Sequence, residues 1–212
     1  MANKLKLFLV FCAFSLLFGL AAPHAQAGPD YGLQYYTPTS VVDSVYMIKA
    51  FDKDLDPQWS GTGFKIGEGL MLTAGHVCDT EGQDGFTFRA IGRWNKEYPV
   101  QVIKFSRDPD LCLLQAKYVP GPWMNAIAES PAYATTLWYS GAPHSVFGDG
   151  TVPFARGYYI GGNKMMIAGY PGASGSPVYN ENGVVGVLVA GWRGTHLIVF
   201  EPVSAVQQFL KE

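Results

Sequence analysis

Charge is scarce in this sequence. Asp, Glu, Lys and Arg make up only 15% of the 212 residues, and the formal net charge is −2. Disordered chains are usually richer in charge and poorer in aromatic residues than this one, which is 14% aromatic. A protein that binds nucleic acid by neutralising phosphates normally has a basic excess, and none exists here. We therefore expect a compact globular protein with no nucleic-acid partner.

Long helix-forming runs are also missing, because 25 Gly and 14 Pro interrupt the chain. This excludes coiled coils and helical bundles and favours a turn-rich fold of short strands. The length allows one domain or two small lobes that share an interface.

The one long hydrophobic run lies at the N-terminus. Lys4 and Lys6 precede the apolar stretch Leu7–Ala22, and Ala25-Gln26-Ala27 follows it. The run of about 16 residues is shorter than the ~20 that a membrane-spanning helix needs. We predict a Sec-type signal peptide over residues 1–27 that is cleaved after Ala27, against the alternative of a membrane anchor. The mature protein is then secreted or periplasmic and does not associate with a membrane.

Beyond residue 40, short β-type runs alternate with turn signals. Two sets of six runs flank Val119–Pro122, which is the clearest linker, and Val203–Lys211 reads as the one convincing amphipathic helix. We predict an all-β protein of two small barrels, over residues 28–118 and over residues 119–212 with the closing helix. The predicted strands are Val41–Phe51, Gly63–Ile66, Leu70–Thr73, Thr87–Ile91, Tyr98–Phe105, Leu111–Lys117, Thr136–Ser140, Val152–Ile160, Lys164–Ile167, Pro177–Tyr179, Val184–Val189 and His196–Phe200.

Three short motifs carry residue types suited to nucleophilic catalysis. His76 stands in TAGHV directly after an apolar run, Asp110 opens the run DLCLL, and Ser174 lies in the glycine-rich turn GASGSP. Each motif taken alone is more often structural, as a packed histidine, a strand cap or a simple turn. Their order along the chain, and the flanks that each residue has, make the combination far more specific.

With these motifs the chain resembles the trypsin-like serine peptidases of the chymotrypsin fold, nearest to the bacterial and viral trypsin-like type or the HtrA protease domain. The resemblance implies two six-stranded antiparallel β-barrels with a catalytic site in the cleft between them. It also implies hydrolysis of peptide bonds through an acyl-enzyme. The matching blocks are GTGFKIGEGLMLTAGHV, DLCLL, GYPGASGSPVYNENGVVGV and, more weakly, WYSGAP.

The chemistry of this family gives each residue a role. A serine hydroxyl needs a base within hydrogen-bond reach, so His76 is expected to activate Ser174 while Asp110 orients the imidazole. The backbone N–H groups of Gly172 and Ser174 are expected to form the oxyanion hole. Asp108 competes with Asp110, but it precedes a proline and reads as a loop residue, whereas an apolar strand begins directly after Asp110.

The two cysteines of the mature chain lie at equal offsets from the expected triad. Cys78 follows His76 by two residues and Cys112 follows Asp110 by two. If the triad residues touch, the sulfurs come together, so we predict a disulfide, with two separate buried thiols as the alternative. We expect no metal site and no cofactor, since two cysteines lack suitably spaced partners.

The resemblance also indicates where substrate binds. Ala168 and Gly169 before the serine turn, and the strand segment Val189-Ala190-Gly191, are expected to wall the pocket for the P1 residue. No acid stands at the base position, which aligns with Ala168, so a small or medium apolar P1 residue is expected. His144 and His196 are interpreted as structural or surface residues.

The leading hypothesis is thus a secreted serine endopeptidase that acts on proteins or peptides as a monomer. The alternative is a catalytically inactive protease-fold module that binds or adheres to a partner. A serine esterase of the α/β-hydrolase fold is excluded, since its triad runs Ser, Asp, His along the chain and here the order is His, Asp, Ser.

Overall fold

The computed structural model describes residues 38–82, 84–125, 130–142, 153–192 and 195–212. Within these ranges the strands are β1 (Val45–Phe51), β2 (Pro57–Gly67), β3 (Leu70–Thr73), β4 (Thr87–Ile91), β5 (Glu97–Arg107), β6 (Asp110–Gln115), β7 (Thr136–Ser140), β8 (Phe154–Gly161), β9 (Lys164–Met166), β10 (Pro177–Asn180), β11 (Gly183–Gly191) and β12 (Ile198–Pro202). The α-helices are α1 (Pro38–Val41), α2 (Gly75–Cys78) and α3 (Val203–Lys211). Short 3-10 turns cover Val42–Ser44 and Arg93–Asn95.

The strands close into two antiparallel barrels. The order around the first is β1-β2-β3-β6-β5-β4, and around the second β10-β11-β12-β9-β8-β7. Closure pairs both edges of every strand, so neither sheet leaves a free edge. The predicted fold, two six-stranded barrels with a C-terminal helix, is confirmed.

Both barrels contribute to one buried cluster that joins them. Alternate residues of β1 divide between this cluster (Val45, Met47) and the first barrel's own cluster (Tyr46, Ile48), as the two-residue period of a strand requires. The shared cluster also contains Phe64, Leu72 and Leu111 of the first barrel, Tyr179 and Val187 of the second, and Val206 and Phe209 of α3. The helix therefore seals the junction between the barrels.

The structure differs from the predicted strands at a few boundaries. The chain is helical through Ser44, where a strand is predicted from Val41. Val41 is fully buried in the shared cluster, and Pro38 begins α1, a position where its fixed φ favours a helix. β2 begins at Pro57, well before the predicted start at Gly63. The prediction misses its first residues because they are exposed and lack an apolar pattern. Helix α3 has the predicted bounds.

The linker between the barrels is held on the first barrel by hydrogen bonds to three of its carbonyl groups. Lys65 Nζ donates hydrogen bonds to the carbonyl oxygens of Val119 at 2.9 Å and Gly121 at 2.6 Å, and Tyr46 Oη donates to that of Pro120 at 2.6 Å. Burial lowers the pKa of the Lys65 ammonium group. The linker is thus anchored on the first barrel from both sides.

Two predictions cannot be compared with the structure. The signal peptide over residues 1–27 and the surface role of His144 lie outside the described residues. Among the described residues, no helix is long and apolar enough to cross a membrane.

Candidate active site

His76 is presented by a short segment that the glycine before it makes possible. β3 ends at Thr73, and Gly75 opens the four-residue helix α2. A methyl group on Gly75 would lie 2.0 Å from the Ser106 carbonyl oxygen and 2.8 Å from Asp110 Oδ1. Only glycine lets the His76 segment approach the Asp110 hairpin this closely. The His76 side chain is 48% exposed, so it can meet a substrate from solvent.

Asp110 contacts His76 with both carboxylate oxygens. Asp110 Oδ2 lies 2.7 Å from His76 Nδ1, and Asp110 Oδ1 accepts a 2.8 Å hydrogen bond from the His76 backbone N–H. An ionised carboxylate only accepts hydrogen bonds, so a neutral imidazole beside it carries its proton on Nδ1 and has a free lone pair on Nε2. The competing acid, Asp108, lies in the turn between β5 and β6, where its backbone exchanges hydrogen bonds with Ser106 Oγ. Of the two acids, it is Asp110 that the structure brings to His76.

A disulfide ties the two segments that carry these residues. Cys78 ends α2, Cys112 lies in β6, and their sulfurs are bonded, with the two Cα atoms 6.4 Å apart. The bond therefore braces His76 against Asp110 from two residues beyond each of them.

An ion-pair network spans the same junction at the surface. Arg107, the last residue of β5, contacts Asp79 and Glu81 just beyond α2, with N–O distances of 2.6 and 2.5 Å. Hydrogen bonds to Glu81 and Asp79 raise the pKa of the Arg107 guanidinium group. Arg107 and Glu81 are exposed and Asp79 is partly buried, so the network contributes little to stability and mainly fixes the path of the chain after α2.

Ser174 lies in the second of two consecutive tight turns. The turns cover residues 170–173 and 173–176, and each is closed by a 3.0 Å backbone hydrogen bond between its first and last residue. Gly172 and Gly175 hold the third positions with φ of 90° and 88°. A positive φ at that position is typical of a type II turn and favours glycine. The glycines of GASGSP therefore set the backbone path on either side of Ser174.

The backbone around Ser174 leaves two donors unused. Within the described part of the chain, the N–H groups of Gly172 and Ser174 donate no hydrogen bond, whereas the N–H of Gly175 donates to the Leu188 carbonyl at 2.7 Å. Two unpaired N–H groups beside a nucleophile are what an oxyanion hole needs.

The Ser174 turn packs against the segment that leads to His76. A methyl group on Gly175 would lie 2.9 Å from the Ala74 nitrogen, and one on Gly61 would lie 3.0 Å from the Ser174 carbonyl oxygen. Among the hydrogen bonds of the described residues, none joins Ser174 Oγ to His76. Such bonds are often long without substrate and shorten when it binds.

A cavity of about 260 Å³ opens beside Ser174. Of the residues expected to wall the P1 pocket, Gly169, Val189, Ala190 and Gly191 line this cavity, but Ala168 does not. The Ala168 carbonyl instead accepts a 3.0 Å hydrogen bond from Tyr139 Oη, which draws this residue toward the core of the second barrel. The remaining lining residues are Tyr170, Pro171 and Leu188.

The walls of this cavity meet each other. A methyl group on Gly169 would lie 3.3 Å from Gly191 Cα and 2.8 Å from Ile198 Cγ2. The two glycines are thus in van der Waals contact and leave no space for a side chain between them. No charged residue is among the described residues that line the cavity.

Sequence reasoning did not single out two polar residues at this site. Glu201 on β12 accepts a 3.1 Å hydrogen bond from the Asp110 backbone N–H, and Thr62 on β2 contacts the Ser174 turn. A polar residue between two glycines, as in Gly61-Thr62-Gly63, was the available signal for the second. His196 is exposed in a turn before β12 and lies outside the cavity. The described residues contain no cluster of side chains able to hold a metal ion.

The comparisons with known proteins agree with this architecture. Residues 61–187 match the trypsin-like peptidase domain. Among solved structures, the active form of the Rv3671c protease from M. tuberculosis is similar, with a TM-score of 0.64 and 19% sequence identity over 82% of each chain. An inactive serine-to-alanine mutant of Rv3671c from M. tuberculosis H37Rv also has a TM-score of 0.64, with 20% identity over 87% of this chain and 94% of that one. At such identity the likeness concerns the fold. No curated protein sequence matches the chain.

Proposed function

This chain belongs to the trypsin-like peptidase family, and on that premise we propose that it is a serine endopeptidase with Ser174 as nucleophile, His76 as base and Asp110 as the orienting acid. The observation that carries the proposal is the contact of Asp110 Oδ2 with His76 Nδ1 at 2.7 Å, beside a serine turn with two unpaired N–H groups. This arrangement has the three parts that acyl transfer requires.

The geometry supports a defined proton path. His76 Nε2 has the free lone pair, so it accepts the proton of Ser174 Oγ as that oxygen attacks the scissile carbonyl. Asp110 holds the ring in this tautomer and stabilises the imidazolium that forms. His76 then gives the proton to the leaving amine, and a water molecule repeats the sequence to hydrolyse the acyl-enzyme.

The developing negative charge on the substrate oxygen is received by the N–H groups of Gly172 and Ser174. Because these donors are fixed by the two turns, they need little reorganisation when the tetrahedral intermediate forms. Removal of one such donor typically costs about 10²–10³ in kcat.

The small cavity beside Ser174 favours a small, uncharged P1 residue. The close approach of Gly169 and Gly191 blocks a long side chain, and the described lining residues include no acid to pair with Arg or Lys. A peptide library cleaved by the protein is expected to yield mostly Gly, Ala, Ser or Val at P1. Dominant cleavage after Arg, Lys or a large aromatic residue would contradict this preference.

The decisive test is covalent labelling. We expect a fluorophosphonate probe to label the wild-type protein, and Ser174→Ala to abolish both labelling and peptide hydrolysis while the thermal unfolding temperature stays unchanged. Folded wild-type protein that neither reacts nor hydrolyses peptides would favour the alternative of an inactive protease-fold module for binding or adhesion.

The same proposal includes export from the cytoplasm. The signal-like residues 1–27 and the disulfide Cys78–Cys112 support it, because structural disulfides persist mainly in oxidising compartments. N-terminal sequencing of the protein recovered from the periplasm or medium is expected to begin at Gly28. An N-terminus that retains Lys4 would contradict cleavage.

A further inference from the structure

Thr62 uses every polar group it has at the junction of the two barrels. It lies on β2 and is fully buried. Its N–H donates a 2.7 Å hydrogen bond to the Ser174 carbonyl, and its hydroxyl donates one of 2.8 Å to the Gly172 carbonyl. The same hydroxyl accepts a 2.9 Å hydrogen bond from the Ala142 N–H. One residue of the first barrel thus holds three backbone groups of the second.

Thr62 is also bonded to the strand that leads to the histidine. Its carbonyl oxygen accepts a 2.6 Å hydrogen bond from Thr73 Oγ1, and Thr73 precedes His76 by three residues. Thr62 therefore connects the His76 segment and the Ser174 turn by hydrogen bonds.

Glycines of the second barrel pack closely around Thr62, where a side chain would not fit. A methyl group on Gly141 would lie 2.8 Å from Thr62 Oγ1, and one on Gly175 would lie 2.0 Å from the Thr62 carbonyl oxygen. The pocket for the side chain is consequently tight and fits threonine or a residue of its shape. A hydroxyl in this pocket meets its two hydrogen-bond partners, and a methyl group in its place would leave both unpaired.

The two carbonyls that Thr62 holds belong to Gly172 and Ser174, whose N–H groups form the proposed oxyanion hole. We infer that Thr62 is a positioning residue for the oxyanion hole: it fixes Gly172 and Ser174 through their carbonyl oxygens so that their N–H groups stay aimed at the reacting carbonyl. This inference rests on the proposed function. On this inference, a side chain of the first barrel aligns the proposed catalytic turn of the second barrel.

The test replaces the hydroxyl and keeps the shape. In Thr62→Val the Gly172 carbonyl loses its hydrogen bond from the hydroxyl, while the Ser174 carbonyl keeps the one from the backbone N–H of residue 62. The Gly172 donor remains but is less firmly held, so we expect kcat to fall by about 10- to 100-fold, less than for outright loss of a donor. KM should stay within about threefold of the wild-type value, because binding of the substrate before reaction does not depend on these donors. Thr62→Ser keeps the hydroxyl and is expected to retain kcat within about threefold of wild type.

A matched control separates alignment from stability. Ser140 is buried, and its hydroxyl forms a 2.8 Å hydrogen bond with Tyr179 Oη away from the Ser174 turn. Ser140→Ala is expected to lower the unfolding temperature about as much as Thr62→Val does, yet to keep kcat within about twofold. If Thr62→Val does not fold, Thr62→Ala and Thr62→Ser, which differ only in the hydroxyl, supply the same comparison.

The outcomes distinguish the inference from the function on which it rests. Active wild-type protein together with an unchanged kcat in Thr62→Val, or an equal loss in Thr62→Ser, overturns the positioning role and leaves the peptidase intact. Wild-type protein that neither cleaves peptides nor reacts with a fluorophosphonate overturns both.

Discussion

On the first-barrel side of the site, His76 meets Asp110 through two hydrogen bonds of 2.7 and 2.8 Å, and a disulfide closes the same junction. On the second-barrel side, Ser174 has no such side-chain partner among the described residues. Its place is set by two turns with positive φ at Gly172 and Gly175 and by the hydrogen bond that its carbonyl oxygen accepts from the Thr62 N–H. The His76 half of the site is thus held mainly by contacts between side chains, and the Ser174 half mainly by its backbone path and the glycines that allow it.

This difference separates two kinds of vulnerability. On the His76 side, a change in the chemistry of a side chain should impair catalysis while the fold survives, because the brace does not depend on any one contact. On the Ser174 side, a single added methyl group should damage both catalysis and stability, because backbone path and packing are the same feature there.

The largest effect is expected from Asp110→Asn. An amide donates to Nδ1 and so favours the imidazole tautomer that cannot accept a proton from Ser174. We expect kcat to fall by about 10⁴, a magnitude borrowed from another enzyme with this triad. The thermal unfolding temperature should change little, since Asn has the shape of Asp. Steady-state kinetics with a small-P1 peptide measures the effect.

Asp108 supplies the control for this substitution. Its interactions run through its backbone and Ser106, away from His76, so Asp108→Asn should keep kcat within about twofold. Equal losses in the two variants would contradict the assignment of Asp110 and point to a general effect of charge in the β5–β6 hairpin.

The next effect is expected from Gly175→Ala on the other side. The variant would place an alanine at φ 88°, and its Cβ would stand 2.0 Å from the Thr62 carbonyl oxygen. We expect a loss of roughly 2–5 kcal/mol in the free energy of unfolding, from backbone strain and overpacking together. A displacement of Ser174 by about 1 Å lowers kcat by about 10² as well. Urea denaturation and peptide kinetics check the two parts.

Gly161 is a matched control because its φ is 86° and no atom lies within 4 Å of the position its Cβ would take. Gly161→Ala should show backbone strain alone, about 1–2 kcal/mol, with normal kcat. If both alanines cost the same, close packing against Thr62 does not hold the Ser174 turn.

The sequence predicts the contents of each motif and the disulfide between the His76 and Asp110 segments, but it does not predict most other contacts between distant residues. The fold followed from strand-length apolar runs and turn signals, and His76, Asp110 and Ser174 from short contiguous motifs of known chemistry. Helix α3 was predicted because its apolar face repeats at helical spacing within nine residues. All of these signals are local.

What the sequence did not reveal depends on distant partners. The hydroxyl of Thr62 bonds to groups 80 and 110 residues away, and no local pattern encodes such a pairing. The shape of the cavity depends likewise on the close approach of Gly169 and Gly191 from two segments, and the placement of Ala168 depends on a hydrogen bond from Tyr139. Val41 was assigned to a strand because an apolar residue fits a strand or a buried helix equally well.

The smallest catalytic effect is expected from removing the disulfide, and it tests how far the His76 side is over-determined. Cys78→Ala combined with Cys112→Ala opens a link between residues 34 apart, which by chain entropy costs about 3–4 kcal/mol of unfolding free energy. The hydrogen bonds between His76 and Asp110 and the close packing at Gly75 remain, so kcat should stay within about threefold at temperatures where the variant is folded. In urea denaturation, the wild-type protein should lose this unfolding free energy only when reductant is added. The double variant should have the same unfolding free energy with and without reductant. A fall in kcat of more than tenfold in the folded variant would contradict the comparison, because it would make the covalent bond, rather than Asp110, the element that positions His76.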